Sequence, residues 1–446
     1  MQKYLFKNIL LVNEGSIRPC DVLVVGERIE KIASSIDVQS ACTIIDGNGK
    51  YLMPGIIDDQ VHFRDPGLTH KADLYTESRA AVAGGITSFM EMPNTIPNAL
   101  TMDLLEDKYE LGAQKSLANY SFFMGVSNDN AEEVLKINDR KKNICGIKIF
   151  MGSSTGNMLV DREETLRRIF KESEKLIAVH CEREEIIQQN LEEFRATGKE
   201  LQPWHHPVIR NVASCTASSS MAIELARQYG SRLHVLHITT AEETDFFRND
   251  IPLKEKRITA EVCVHHLHFT SEDYAALGYQ IKCNPSIKSP ENKEALWKAL
   301  LDDRLDVIAT DHAPHLLSEK GPDYFSAHAG LPLIQHSVQM MLMYQQKGMI
   351  TLEKMAQKMS HAVADCFGLL ERGYVREGYY ADFFLLDLNT SDKVSKDNIL
   401  YKCGWSPLEG MTLPGKITHT MVSGHLVYAN GKFDESNRGK RLQFQP

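Results

Sequence analysis

Between residues 54 and 369 the chain alternates short apolar runs with longer stretches in which apolar residues recur every three or four positions. Apolar runs bounded by turn residues predict β-strands, and the longer period predicts amphipathic helices. The predicted strands span residues 55–63, 86–93, 118–126, 144–151, 176–182, 232–239, 258–267 and 306–315. The predicted helices between them include residues 71–83, 129–137, 162–175, 217–228 and 292–302. Strands that alternate with helices pair in parallel, and eight such units predict an α/β fold, a closed (β/α)8 TIM-type barrel.

An open doubly wound sheet is the alternative to a barrel, and the first predicted strand separates the two. An open sheet of this class usually carries a glycine-rich phosphate-binding turn after that strand. Here the strand runs instead into His62-Phe-Arg-Asp-Pro-Gly67. The sequence therefore favours the barrel.

The two ends of the chain follow a different pattern. Residues 1–53 and 370–446 contain short alternating strands separated by glycine and asparagine turns, which is the signature of β-hairpins. We therefore predict that both termini form one small β-sandwich domain, with residues 54–369 as the catalytic barrel.

Composition narrows the function classes. Of the 446 residues, 43% are hydrophobic and 24% are charged, which is typical of a soluble globular protein. A net charge of −9 argues against binding to nucleic acid or to a membrane surface. Nine cysteines without a C-x-x-C pair, and the lack of a signal peptide or a long apolar stretch, predict a cytoplasmic protein with reduced thiols.

Polar residues suited to metal or substrate binding gather at the C-terminal ends of the predicted strands, where a barrel places its active site. Alternation along the first strand puts Asp58, Gln60, His62 and Arg64 on one face. The later strands add further candidates: Asn94, Lys148, His180, His237, Asp311 and His315. Each residue alone is weak evidence, but all of them would converge at one mouth of the barrel.

Histidine nitrogens and carboxylate oxygens suit zinc, and a catalytic zinc site keeps one position open for water. Lys148 needs a separate explanation, because a protonated lysine has no lone pair to offer a metal. Addition of carbon dioxide to its amine would give a carbamate whose two oxygens could bridge two metal ions. The alternative is a lysine that is salt-bridged inside the barrel.

These residues resemble the amidohydrolase superfamily, and more closely the dihydroorotases, over essentially the whole chain. The motifs that carry the resemblance are His62-Phe-Arg-Asp-Pro-Gly, Met92-Pro-Asn-Thr, Cys283-Asn-Pro-Ser and Ala309-Thr-Asp-His-Ala-Pro-His. The resemblance implies one or two zinc ions held by His62, Lys148, His180, His237 and Asp311, with Lys148 N6-carboxylated and bridging. It also implies that Asp311 is catalytic and that Arg64, Asn94, Asn284 and His315 bind the substrate.

The resemblance implies reversible, zinc-dependent hydrolysis of (S)-dihydroorotate to N-carbamoyl-L-aspartate in de novo pyrimidine biosynthesis. A hydantoinase or allantoinase, or a catalytically impaired binding protein, is the alternative. For single residues, Arg64 could instead pair with Asp65 at the surface, and Asn94 and Asn284 could stabilise turns beside prolines. The partner is a small-molecule substrate, and a homo-oligomer is left open.

One position departs from the family pattern. Where relatives usually have His-x-His on the first strand, this chain has Gln60-Val-His62, and an amide oxygen is a poorer zinc ligand than imidazole. We expect at least one firmly bound zinc and a second that is weak or absent. Three further segments have weaker signals. We interpret residues 316–330 as a lid and residues 152–157 as a βα loop, and we place His265, His266 and His268 on strand seven, where they are structural or orient metal ligands.

Overall fold

The computed structural model describes residues 2–38, 41–152 and 158–446. The strands before the barrel are β1 (Lys3–Asn13), β2 (Ser16–Val25), β3 (Arg28–Ala33), β4 (Thr43–Asp46) and β5 (Tyr51–Pro54). The barrel strands are β6 (Ile56–Val61), β7 (Ile86–Glu91), β8 (Asn119–Phe122), β9 (Met124–Gly125), β10 (Ile147–Phe150), β11 (Ile177–His180), β12 (Leu233–Val235), β13 (Ile258–Cys263) and β14 (Val307–Ala309). The last strands are β15 (Phe383–Lys393), β16 (Thr412–Val422), β17 (His425–Ala429) and β18 (Lys432–Phe433).

Helices connect the barrel strands and cover the outside of the barrel. They are α1 (Leu74–Ala83), α2 (Met102–Lys115), α3 (Ala131–Leu135), α4 (Glu163–Glu172), α5 (Glu184–Ala196), α6 (His206–Ile209), α7 (Val212–Tyr229), α8 (Ala241–Thr244), α9 (Val264–His268), α10 (Tyr274–Leu277), α11 (Pro290–Leu301), α12 (Ser337–Gln346), α13 (Leu352–Ala356) and α14 (Ala362–Phe367). Local sequence sets several of the boundaries. Helix α1 begins after Asp73, whose side chain accepts a hydrogen bond from the Thr76 backbone in a capping box, and α7 ends at Gly230 in the left-handed region.

The barrel strands pair in parallel around a closed ring. One sheet runs from β9 to β14 and another from β6 to β8, with β8 and β9 forming one interrupted strand. The ring closes where the backbone N–H of His62 donates to the carbonyl of His312 at 2.7 Å. The predicted (β/α)8 barrel is confirmed.

Strand seven ends earlier than predicted. The strand prediction extended to residue 267, but β13 stops at Cys263 and Val264–His268 is helical. The placement of His265, His266 and His268 on strand seven is therefore wrong. A short apolar run does not by itself distinguish a strand from the first turn of a helix.

Both termini contribute to one sheet, in the order β18-β17-β16-β15-β5-β1-β2-β3, with β4 paired to β1. The junction between the two ends of the chain is the antiparallel pair of β5 and β15, in which Leu52 faces Leu385. Aromatic and aliphatic side chains from both ends, including Phe6 and Phe383, fill one buried cluster. This is the predicted small β-sandwich domain, although its boundaries at residues 54 and 370 stay predictions.

Among the described residues, no helix combines the length and the apolar character needed to span a bilayer. The loop interpreted from residues 152–157 lies almost entirely outside the described residues, since 153–157 are not described.

Candidate active site

A small cavity opens at the C-terminal ends of the barrel strands. Most of the predicted site residues line it together with Phe150, Ala313, Ala329 and Gly330; they are Gln60, His62, Arg64, Lys148, His180, His237, Asn284 and Asp311. Two predicted residues stand directly behind this lining, because Asn94 contacts His62 and His315 contacts Arg64. All the predicted site residues are therefore brought to one end of the barrel.

Three of these residues have an unusual backbone conformation. Arg64, His237 and Asp311 have φ angles of 68°, 40° and 46°, in the left-handed region that side chains with a Cβ rarely adopt. Each follows the end of a barrel strand, so the turn of the backbone directs its side chain into the cavity. The backbone N–H of His237 is also held by Oε1 of buried Glu261 at 3.1 Å. Such conformations persist only where surrounding contacts enforce them.

On the strand-one side of the site, polar groups bond to one another. Gln60 Nε2 donates to Asp311 Oδ1 at 3.2 Å, and His62 Nε2 lies 3.2 Å from the same oxygen. The other ring nitrogen of His62 is 2.7 Å from Oδ1 of Asn94. Burial lowers the pKa of His62, although Asp311 acts in the opposite direction. This side forms a closed hydrogen-bond network.

On the opposite side, strands β11 and β12 place two histidines edge to face. Nδ1 of His180 lies 2.9 Å from Nε2 of His237, and His180 Nε2 lies 3.0 Å from Glu182 Oε2. Burial acts to raise the pKa of Glu182, but Arg210, which contacts Glu182 directly, and His180 outweigh it and hold the pKa at about 2. A charged carboxylate on the far nitrogen orients an imidazole so that its other nitrogen faces the cavity.

Lys148 on β10 completes this side. It is 1% exposed, and its Nζ lies 4.6 Å above the ring of Phe150. Burial lowers the pKa of Lys148 to about 7, so a substantial fraction of the amine is neutral at physiological pH. Within the described part of the chain Lys148 makes no salt bridge, which disfavours the salt-bridged alternative.

Arg64 is buried, at 3% exposure, and it does not pair with Asp65. Its Nε donates to the carbonyl of Pro314 at 3.2 Å, and its Nη2 lies 3.0 Å from His315 Nε2. Asp65 instead pairs with Lys115 at 2.7 Å. The surface alternative for Arg64 is therefore wrong.

The segment after strand eight, residues 316–330, borders the cavity and contributes Ala329 and Gly330 to its wall. Lys320 anchors it from inside, since its Nζ donates to the carbonyls of Lys282, His328 and Gly330 at 3.0, 2.8 and 2.8 Å. The segment thus lies where a lid would lie, and its role as a lid stays a prediction.

Sequence reasoning missed a buried cluster next to the site. Nε2 of His234 lies 3.1 Å from Asp59 Oδ2 and 3.4 Å from Glu261 Oε2, and all three side chains are fully buried. Burial opposes protonation of His234, but the two carboxylates outweigh it and raise its pKa to about 9. An imidazolium here compensates negative charge in the barrel interior. The ligand atoms of Asp59, His234 and Glu261 lie close enough together to hold a metal ion. A second group, Cys263, His265 and His266, meets the same distance criterion separately.

Comparison with known proteins gives this geometry a context. A sequence profile described as "Amidohydrolase family" matches residues 51–427. A dihydroorotase from Methanosarcina mazei is 32% identical over 448 residues, which cover 98% of this chain and 97% of that protein. An allantoinase from Deinococcus radiodurans is 31% identical, with 98% of each chain covered.

Among solved structures, an L-hydantoinase (dihydropyrimidinase) from Arthrobacter aurescens superposes with a TM-score of 0.93 at 27% identity, covering 99% of this chain and 100% of that one. The fold is therefore shared along the whole chain. The relatives are named dihydroorotase, allantoinase and hydantoinase, so their names alone do not fix the substrate of this chain.

Proposed function

Since this chain belongs to the amidohydrolase family and is a metal-dependent cyclic amidohydrolase, we propose that it is a dihydroorotase. The reaction would be the reversible hydrolysis of (S)-dihydroorotate to N-carbamoyl-L-aspartate in de novo pyrimidine biosynthesis. The single observation that carries the proposal is a buried arginine at the cavity wall without a carboxylate partner.

Arg64 makes no salt bridge within the described residues, although it is 3% exposed. Burial lowers the pKa of Arg64 only to about 10, so the guanidinium stays charged at neutral pH. A buried charge without a counterion is costly, and a guanidinium fork matches a carboxylate in shape and charge. Dihydroorotate carries such a carboxylate on its ring, whereas hydantoin and allantoin rings do not. Asn94 and His315 would complete the carboxylate site.

Asn284 supports recognition of the ring itself. Its side-chain oxygen is buried and has no hydrogen-bond partner among the described residues, although the side chain lines the cavity. An unpaired buried acceptor is unfavourable unless a ligand supplies a donor. The ring amide N–H groups of dihydroorotate would supply one.

The residues of strands four to six fit a metal ion. His180 and His237 direct one nitrogen each toward the same point, and Glu182 binds the far nitrogen of His180 in the way common behind metal-bound histidines. Lys148, His180, His237, His62 and Asp311 would hold the metal, and zinc suits this nitrogen and oxygen donor set. Bound zinc would lower the pKa of its water and polarise the carbonyl under attack.

Lys148 would join this set as a carbamate. Only the neutral amine adds carbon dioxide: its lone pair forms the N–C bond, and a proton leaves to solvent. The lowered pKa of Lys148, which burial causes, makes that form available near pH 7. The same addition would turn a cation into an anion with two oxygen donors, which removes the difficulty of a lysine among metal ligands.

Gln60 supports a centre with one firmly bound metal ion. A histidine at this position would offer a ring nitrogen, but the amide of Gln60 directs a hydrogen toward Asp311. The orientation is consistent with its other contact, since Cys263 Sγ lies 3.9 Å from the amide oxygen. We therefore propose one tightly bound zinc and a second that is weak or absent.

Asp311 would move the proton. Its carboxylate would accept a proton from the attacking water and pass it to the departing ring nitrogen, acting as base and then as acid. Gln60 and His62, which both contact Oδ1, would hold the carboxylate in place during this transfer. The same groups would act in reverse when carbamoyl aspartate closes to the ring.

A parallel assay tests the proposed substrate. Zinc-loaded enzyme is offered dihydroorotate, hydantoin and allantoin in parallel. We expect the turnover rate of dihydroorotate to exceed that of the other two by at least about a hundredfold, because a neutral ring leaves the buried charge of Arg64 without a partner. Arg64→Met should raise KM for dihydroorotate by tenfold or more, the cost of about 1.4 kcal/mol or above for a lost charged hydrogen bond.

The melting temperature of Arg64→Met, followed by circular dichroism, shows whether the variant is folded. Preferred turnover of hydantoin or allantoin would replace dihydroorotase with that activity, and unchanged kinetics in Arg64→Met would remove Arg64 from the carboxylate site.

The proposed compartment is the cytoplasm, which is supported by nine free cysteines.

A further inference from the structure

His315 stands between two cations at the substrate end of the site. Its Nδ1 lies 3.1 Å from Lys71 Nζ, and its Nε2 lies 3.0 Å from Arg64 Nη2. Nε2 also lies 3.1 Å from the carbonyl of Ala329. Lysine and arginine only donate hydrogen bonds, so both compete for the single lone pair of a neutral imidazole.

The ring is neutral in this setting. Burial lowers the pKa of His315 well below its usual value, and nearby Arg64, Lys320 and Lys71 lower it further. One ring nitrogen therefore carries a hydrogen and the other accepts one. Which nitrogen does which depends on the partners that each tautomer satisfies.

Counting partners selects one tautomer. With the hydrogen on Nε2, Lys71 donates to Nδ1 and Nε2 donates to the carbonyl of Ala329, so two contacts are satisfied. With the hydrogen on Nδ1, only the contact with Arg64 is satisfied, because Nδ1–H faces the Lys71 ammonium at 3.1 Å and Oε2 of Glu319 lies beyond hydrogen-bond distance at 3.8 Å. The first arrangement is favoured, and it depends on Lys71.

The selected tautomer leaves two donors side by side. Nε2 of His315, which carries the hydrogen, and Nη2 of Arg64 are 3.0 Å apart, and no negatively charged side chain among the described residues accepts from Arg64 Nη2. A carboxylate oxygen can accept from Arg64 Nη2 and share the Nε2 hydrogen of His315 with the carbonyl of Ala329 in a three-centre hydrogen bond. The pair is therefore arranged for an anion.

We propose that Lys71 is a positioning residue for substrate recognition: it fixes His315 as the Nε2–H tautomer, so that His315 and Arg64 together donate to the carboxylate of the ring. This inference rests on the proposed function, since it assigns a role in binding dihydroorotate. The Nζ of Lys71 contacts His315 and Glu319, and of these two His315 reaches the cavity wall through its contact with Arg64, so Lys71 acts through His315.

Glu319 keeps Lys71 in place. Lys71 is 5% exposed, and its Nζ lies 3.0 Å from Glu319 Oε1. The other oxygen of Glu319 accepts from the backbone N–H of Leu316 at 2.8 Å. Glu319 belongs to the 316–330 segment, so the position of this segment and the orientation of His315 are linked through one lysine.

Kinetics with Lys71→Met provide the first test. Methionine keeps the length of the side chain but cannot donate, so we expect KM for dihydroorotate to rise at least about tenfold while kcat changes less than threefold, because the reacting atoms are untouched. Lys71→Arg restores a donor and should recover much of the loss. Lys402→Met is the matched control, since Lys402 pairs with nearby Asp73 at 2.6 Å without contacting His315.

A spectroscopic measurement reports the tautomer directly. Protein with 15N-labelled histidine gives two-bond 1H–15N correlations that distinguish protonated from unprotonated ring nitrogens, and the His315 signals are assigned from their loss in His315→Asn. We expect the Nε2–H form in the wild type and in Lys402→Met, and the Nδ1–H form or a mixture in Lys71→Met. All spectra are recorded on zinc-loaded protein without substrate.

The outcomes separate the inference from the proposed function. An unchanged tautomer and an unchanged KM in Lys71→Met would overturn the inference even if the wild type hydrolyses dihydroorotate. A wild type that does not hydrolyse dihydroorotate would overturn the proposed function, and the tautomer spectra would still decide whether Lys71 sets His315. A rise in KM without a change of tautomer would also contradict the inference, because it would mean that Lys71 acts by charge alone.

Discussion

On the strand-one side of the site, Gln60 and His62 both contact one oxygen of Asp311, whereas on the side of strands four to six several polar atoms have no such partner among the described residues. There, His180 Nδ1 and His237 Nε2 have only each other as hydrogen-bond partners among the described residues, and Lys148 is buried without a counterion. The polar groups of the strand-one side satisfy one another, whereas those of strands four to six need a further partner. A cation should therefore bind most favourably beside strands four to six, where it supplies missing contacts. Beside strand one it would disrupt hydrogen bonds that already exist.

The largest effect should come from the side that lacks partners. We expect Lys148→Met to lose bound zinc and to reduce turnover below detection, because the variant cannot form the carbamate. Zinc content by plasma mass spectrometry and turnover of dihydroorotate are measured together. Lys175→Met removes another buried lysine, which donates to the carbonyl of Lys141 away from the cavity, and it should keep its zinc. Full zinc content in Lys148→Met would contradict the assignment of Lys148 as a ligand.

Asp311→Asn should reduce turnover by about a hundredfold to ten-thousandfold, the range expected when a general acid–base group is lost. The amide keeps the size of the side chain but cannot accept and return a proton. Zinc content should stay near the wild-type value because the proposed ligands of strands four to six remain. If the variant kept a near-normal rate, the proton would have to travel by another group.

Glu182→Gln tests the support behind His180. An amide binds the imidazole more weakly than a carboxylate does, so zinc affinity should fall by about 10–100-fold. Competition with a zinc chelator measures the affinity. Glu185→Gln is the matched control, because Glu185 pairs with Arg183 at the surface and is 71% exposed. Equal zinc affinity in both variants would mean that Glu182 has only a structural role.

Gln60→His should change the rate least, but it should change the zinc content of the protein. An imidazole at this position should convert the closed side into a second zinc site, with turnover altered by less than about tenfold. Gln60→Ala removes the amide without adding a ligand and should leave zinc content unchanged. An unchanged zinc content in Gln60→His would show that residue 60 does not limit the number of metal ions.

Much of the fold and of the site could be predicted because strand ends in a barrel meet at one place whatever their separation in sequence. That rule brought His62, His180 and Asp311 together without any knowledge of distances. It does not extend to contacts behind the cavity. Lys71 looked like the first residue of a helix, yet α1 begins at Leu74 and Lys71 instead touches His315 across 244 positions of sequence.

The role of Glu182 was missed for a related reason. The residue was visible at the end of strand five, but a carboxylate two positions after a histidine orients that histidine only if the backbone turns between them. Asp59 and His234 likewise gave no signal, because alternation predicts which face a residue occupies and not which charges meet across the barrel. Asp59 and His234 meet only because the strands close into a barrel.

The pairing of β5 with β15 has a consequence for biogenesis. β5 is complete once residue 54 leaves the ribosome, but its partner begins only at Phe383, so at typical synthesis rates it waits on the order of tens of seconds. During that interval the N-terminal strands expose an unpaired edge, which is a template for aggregation. Nascent chains of this enzyme should therefore depend on chaperones until the C-terminal strands emerge.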